Sequence, residues 1–352
     1  MGARDWSPRG WVAGAVAVVV VALAAGAGVA VSDRWTADAG VDDVARLVPV
    51  DVAGVDVTDW TALRDRLDAG GAALVAAASD RDLATRSVLV SSDVVVSDGL
   101  GWAPGTVRWE AFVQTTAGTG LLVGLPQSTA GTEARLREVG YVESDGLWSI
   151  DLPDLRAGGA STPEVFLHVR ILDGGVAVAS AEETVVEQVR DAADGSETAL
   201  ADDPSVARVW AQASALDVFA LQDGAAGCAS TDPAESGADI AAQATVAVDA
   251  AGELLPYRWL LRGLEPAAAG SDETDRFVVA MAFETGAQAA GQVEVRSQLA
   301  SGPFIGQTGT VEESIVLTRE SVDGDVAVLD LDRQEDSVSL MSFVGPLVLA
   351  SC

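Results

Sequence analysis

Residues 314–332 read SIVLTRESVDGDVAVLDLD, two apolar and β-branched runs on either side of Asp323-Gly324. Both central positions of a type I′ turn need positive φ, and Asp-Gly tolerates it, so the stretch reads as a β-hairpin in an antiparallel sheet. Working outward, residues 277–283 and 258–264 carry the same strand composition. Between strand 277–283 and the hairpin, Thr285-Gly286-Ala287-Gln288 has capping-box spacing and starts a helix that reaches about Leu299. Beyond the hairpin, residues 338–344 and 347–350 are apolar and read as closing strands.

The first half of the chain repeats this vocabulary. Thr58 is the expected N-cap of a helix over 59–68, with Leu63 and Leu67 on one face and Gly70-Gly71 as the stop. Residues 87–96, 107–115 and 121–125 read as strands and 129–139 as a helix. Residues 165–172 and 176–179 form a hairpin around Asp173-Gly174-Gly175, and the capping box Ser180-Ala181-Glu182-Glu183 opens a helix faced by Val185, Val186 and Val189. Asp203-Pro204 starts one more helix, with Val206, Val209 and Trp210 on one stripe. Strand-then-helix units therefore recur at 121–139, 176–192 and 277–299. The expected fold is α+β, a mainly antiparallel sheet with packed helices. It is expected in two related lobes, 42–222 and 238–352, joined by the small-residue stretch 223–237.

Ahead of this ectodomain, residues 10–31 read GWVAGAVAVVVVALAAGAGVAV, 22 residues without a charge. At about 1.5 Å per residue they cover a hydrocarbon core of roughly 30 Å, and the run is longer than a signal peptide needs. Arg4 and Arg9 precede it, so the positive-inside rule leaves residues 1–9 in the cytoplasm and places the C-terminal domain outside the cell membrane. The lipid bilayer is thus the first expected partner.

The 352 residues carry 21 Arg, no Lys and 53 Asp plus Glu, a formal net charge of −32. Polyanions and acidic headgroups need clustered cations, so no nucleic-acid partner is expected. Without Lys, Schiff-base chemistry and Walker-type phosphate loops are excluded. The two cysteines, Cys228 and Cys352, both follow the apolar run and are read as one structural disulfide in an oxidising compartment.

Leu47-Val48-Pro49, the stretch Thr58-Asp59-Trp60-Thr61-Ala62-Leu63-Arg64, the stretch Asp82-Leu83-Ala84-Thr85-Arg86-Ser87, Gly101-Trp102 and the closing Leu349-Ala350-Ser351-Cys352 resemble a group of uncharacterised, membrane-anchored actinobacterial envelope proteins. Residues 173–204, with GGVAVAS and Ala199-Leu200-Ala201-Asp202-Asp203-Pro204, are similar to a unit in a broader set of bacterial ectodomains. The resemblance implies address and fold, and carries over no catalytic residue.

The residues that could carry chemistry are few. His168 is the only histidine, and the sequence has no Gly-x-Ser-x-Gly elbow, so His168 reads as a structural strand residue. Asp330, Asp332, Glu335 and Asp336, and separately Asp272, Glu273 and Asp275, are acidic clusters, but neither has the spacing of a calcium loop. Trp102, Trp109 and Trp148 read as core. The expectation is a non-enzymatic envelope protein without cofactor or metal, binding an envelope protein or an apolar envelope ligand. The alternative is an extracytoplasmic hydrolase using Asp, Glu or Ser.

Overall fold

The computed structural model describes residues 39–91, 99–126, 128–157, 164–306, 309–334, 337, 339–341 and 347–352. The tail 1–9 and the apolar run 10–31, with the anchor read from it, lie outside the described residues. Among the described residues no helix is long and apolar enough to cross a membrane.

The strands are β1 (Val52–Thr58), β2 (Glu110–Thr115), β3 (Gly118–Gly124), β4 (Val142–Ser144), β5 (Leu147–Ser149), β6 (His168–Leu172), β7 (Val176–Ser180), β8 (Val218–Asp223), β9 (Trp259–Glu265), β10 (Asp275–Ala282), β11 (Ile315–Asp323) and β12 (Val326–Arg333). The helices are α1 (Val44–Leu47), α2 (Trp60–Leu67), α3 (Gly71–Asp80), α4 (Val88–Ser91), α5 (Thr129–Val139), α6 (Leu152–Ala157), α7 (Glu183–Asp194), α8 (Pro204–Ala211), α9 (Gly224–Thr231), α10 (Ala238–Ala251) and α11 (Gly286–Leu299). The twelve strands among the described residues form one antiparallel sheet in the order β11-β12-β10-β9-β8-β1-β2-β3-β7-β6-β5-β4.

From the β1–β8 seam outward the two halves read alike, β1-β2-β3-β7-β6 on one side and β8-β9-β10-β12-β11 on the other. Asp59 caps α2 by accepting from the Ala62 amide, and Asp223 caps α9 by accepting from the Ala226 amide. Gly70 and Gly237 precede the second helices, α3 and α10. Ser128 and Thr285 cap the helices that follow the next hairpin, α5 and α11. At the seam β1 runs antiparallel to β8 with Asp56 opposite Ala220, which is what a local two-fold axis through the sheet requires. The first half adds the β4–β5 hairpin outside β6, and the sheet is continuous across the two expected lobes.

Both faces of the sheet are covered. Leu63, Leu74, Leu136, Ala244 and Val293 of α2, α3, α5, α10 and α11 pack on one face, and Val186, Val189, Val206 and Trp210 of α7 and α8 pack on the other. Each fully buried Val or Leu contributes about 1.5–3 kcal/mol, so the two apolar layers, built from strand and helix side chains alike, carry the stability. Two glycines are required by geometry. A Cβ on Gly224 would lie 2.2 Å from the Tyr257 carbonyl oxygen, and Gly324 turns the last hairpin at φ +62°.

Several expectations are corrected. The hairpin pairs Asp323 with Val326, so its loop is Gly324-Asp325, and of these two only Gly324 has positive φ. This places Gly first, as in a type II′ turn. Residues 88–91 of the expected strand 87–96 form a helical turn, because the Ser87 hydroxyl accepts from the Val90 amide, and 92–98 lie outside the described residues. The expected linker 223–237 is helical, α9 followed by the 3-10 turn Pro233–Ser236, with Asp223 and Asp232 as caps. Asp59 and not Thr58 caps α2, Asp68 ends it at φ +46°, and Gly70 serves as the N-cap of α3. Glu182 is the N-cap residue of α7, while the Ser180 hydroxyl accepts from the Glu182 amide and donates to the Thr119 carbonyl. The closing strand at 347–350 is a 3-10 turn, Val348–Ala350, in which the Val348 carbonyl accepts from the Ser351 amide and the Leu349 and Ala350 carbonyls accept from side chains. Residues 339–341 of the other closing strand are not paired in the sheet, and 338 and 342–346 lie outside the described residues.

Candidate functional site: a buried ionic cluster at the seam

Side chains alternate along a strand, so one cross-strand row on the helix-rich face reads Leu121, Phe112, Asp56, Ala220, Arg262, Val279, Leu329. Two charged groups therefore sit in the middle of an apolar row, one on each half. Asp56 is ion-paired with Arg86, which follows α3, and both are buried. Burial pushes the Asp56 carboxyl above its ordinary range, with Arg86 pulling the other way.

Arg86 also donates from Nε to the Met341 carbonyl at 2.6 Å. Asp82, in the left-handed region at φ +63°, accepts from the Leu340 amide at 2.6 Å, the Met341 amide at 2.9 Å and the Ser339 hydroxyl at 2.7 Å. Asp82 and Arg86 thus fasten the segment 339–341, from the chain's C-terminal end, over the seam.

One row along, Glu110 of β2 is fully enclosed. Its Oε1 accepts from Trp60 Nε1 at 3.1 Å and its Oε2 from the Leu89 amide at 3.1 Å, with the Ser87 hydroxyl and Val88 amide also donating. Burial outweighs these donors and pushes its pKa up to about 7. Asp217, beside β8, is likewise pushed up to about 7 by burial, against Arg66 at 2.8 Å.

Arg262 is 3% exposed, and burial followed by the nearby Arg86 guanidinium lowers its pKa to about 10. It donates from Nη2 to Gln222 Oε1 at 3.2 Å, while its Nε has no partner among the described residues. Arg296 is a contrast. It is equally enclosed but donates to the carbonyls of Leu349, Ser351 and Leu255 at 2.8 to 3.0 Å and to Gln292 Oε1 at 3.2 Å. Around it the Tyr257 and Thr231 hydroxyls both reach the Ala350 carbonyl, and the Cys228–Cys352 disulfide joins the last residue to α9 with Cα atoms 5.4 Å apart.

The other sequence candidates separate. His168 Nδ1 lies 2.9 Å from the Ser149 hydroxyl on neighbouring strands, but among the described residues no carboxylate is bonded to the ring. The pair lacks the group that orients the base in a Ser-His-Asp triad. Asp330 is ion-paired with Arg276 and Asp275 with Arg81, while Glu335 and Asp336 lie outside the described residues. Among the described residues no three His, Cys, Asp or Glu come together as metal ligands. Trp102 and Trp148 are buried in the core of the helix-rich face and Trp109 in the other, where its Nε1 donates to the Ala39 carbonyl at 2.9 Å. Comparison with family models, curated proteins and solved structures returns no match for the chain.

The raised carboxyls fix a sign for the pH dependence. Glu110 holds its proton more tightly in the fold than its ordinary value of 4.5, so its contribution is fully present below about 4.5 and is lost as pH rises through about 7. A shift of that size corresponds to on the order of 3 kcal/mol, and Asp217 and Asp56 act in the same direction. The melting midpoint is therefore expected to be higher at pH 5.5 than at pH 8. A midpoint that is flat or rises with pH across that window would contradict the assignment.

Proposed function

We propose that the chain is a single-pass, membrane-anchored protein of the actinobacterial envelope type whose extracytoplasmic domain binds an envelope protein or an apolar envelope ligand and performs no chemistry on it. The observation that carries the reading is the seam. The charged groups that converge there are enclosed, with Asp56 and Arg86 held by each other and by the Met341 carbonyl, an arrangement suited to holding a shape or an occupant and not to turning over a solvent-exposed substrate. The disulfide supports an oxidising compartment, and the apolar run 10–31 supports the tether.

Two measurements test this. Protease added to intact cells should digest the domain after about residue 32, and full protection would overturn the topology. Native mass spectrometry of the domain isolated from its own envelope should show an added mass or a cross-linked partner. Neither, together with turnover of ester, amide or glycoside substrates, would favour the hydrolase.

A further inference from the structure

An arginine presents five N–H hydrogens, and a buried one normally finds an acceptor for most of them. Arg296 meets this with three carbonyls and an amide oxygen, and Arg86 with Asp56 and the Met341 carbonyl. Arg262 does not. Among the described residues its one hydrogen-bond partner is the neutral amide of Gln222, and that oxygen is shared with the Ser230 hydroxyl at 3.1 Å. Asp56 lies in the same row, but Ala220 stands between, which sets the two side chains about 10 Å apart at the backbone, and Asp56 is already engaged by Arg86.

The neighbourhood narrows what could complete the site. Ala220 and, one row along, Gly54 give the seam a small-residue floor between the two guanidinium-bearing halves. Leu260 and Leu264 lie two positions away on the same face of β9, and Val279 is opposite, so the strand neighbours of Arg262 are apolar, while Arg86, Tyr257, Asp56 and Asp82 are the charged and polar groups near it. A planar monoanion offers two acceptors in the geometry of a guanidinium fork. A phosphate dianion would add a second negative charge in an enclosed site within about 10 Å of Asp56, in a chain already at −32, which disfavours it.

We infer that the seam is a carboxylate-binding site in which Arg262, with its unpartnered Nε, is the anchoring cation and Gln222 the neighbouring polar group. The inference rests on the ligand-binding reading above and specifies it. The carboxylate is either a small free acid or the head of a longer apolar acid lying along the Leu260 side.

Thermal melts of the full chain in detergent distinguish these, with sodium acetate, sodium decanoate below its micellar range, sodium phosphate and sodium chloride compared at equal ionic strength. A saturating carboxylate should raise the midpoint by about 3 °C over chloride. Decanoate acting at far lower concentration than acetate assigns an apolar acid, and equal potency assigns a small one. Arg262→Met should lose the carboxylate-dependent shift. If that variant does not fold, Gln222→Glu at a half-buried position tests the same point. It places a carboxylate beside the guanidinium, so it should raise the midpoint without added acid and remove the response to it. No carboxylate shift in the wild type, or a shift with phosphate alone, overturns the inference. A neutral co-purified molecule found alongside such a result would leave the ligand-binding reading standing and remove only the carboxylate.

Discussion

Replacing Cys352 by Ser is expected to lower the stability of the folded domain by about 4–5 kcal/mol on the chain-entropy model, and the melting midpoint by about 7 °C, without changing its secondary structure. The bond spans 124 residues, so the unfolded chain regains the freedom of a long loop when it is cut. The effect should stay mainly in the unfolded state. Arg296, Tyr257, Thr231 and the Ser351 hydroxyl still hold the last turn in the variant, so the native contacts of Val348–Ala350 remain. Melts with and without reductant give the same comparison on the unaltered chain. A change of less than about 2 °C in both would mean that the folded state already supplies all of the closure.

The side-chain anchoring that survives in that variant is also what the sequence concealed. Residues 347–350 are apolar and β-branched enough to read as a strand, and no local pattern reveals that Arg296, more than fifty positions earlier, takes the Leu349 and Ser351 carbonyls. Elements whose cause is local were legible. The capping box at Thr285 gives α11, Gly140 in the left-handed region ends α5 at the expected place, and Asp203-Pro204 opens α8. The strands β2, β3, β6, β7, β9, β10 and the last hairpin also fall within or close to the expected stretches.

The two strands at the seam were not legible, and the reason is the site itself. In β1, VAGVDVT places Gly54 and Asp56 where a buried strand would carry apolar groups, and β8 ends on Gln222 and Asp223. These residues blunt the period-2 signal because they serve the cluster and the cap, not the core. Asp82 and Arg86 enter the sequence reading only through the stretch 82–87 that carries the resemblance. Their role depends on a segment some 255 positions away, which spacing along the chain cannot report. The mixed row of Asp56, Ala220 and Arg262 exists only once β1 has paired with β8.

That row supplies the second large effect. Arg86→Leu leaves the Asp56 carboxylate enclosed without its counter-charge and frees the Met341 carbonyl, and it is expected to destabilise the fold by roughly 3–5 kcal/mol at pH 7.5. Two further comparisons separate charge from packing. Burial already raises the Asp56 pKa, and removing Arg86 removes the pair that opposes the rise, so Asp56 in the variant takes up a proton nearer neutrality. The deficit between variant and wild type should therefore shrink as pH is lowered towards 5. In the double variant Asp56→Leu/Arg86→Leu both charges are gone, and much of the loss should be recovered, because an apolar pair can replace a buried ion pair with little penalty. A single variant as stable as the wild type, or a double variant worse than the single at pH 7.5, would show that the pair does not hold the seam by charge. In that case the attachment of 339–341 through Asp82 would have to carry it.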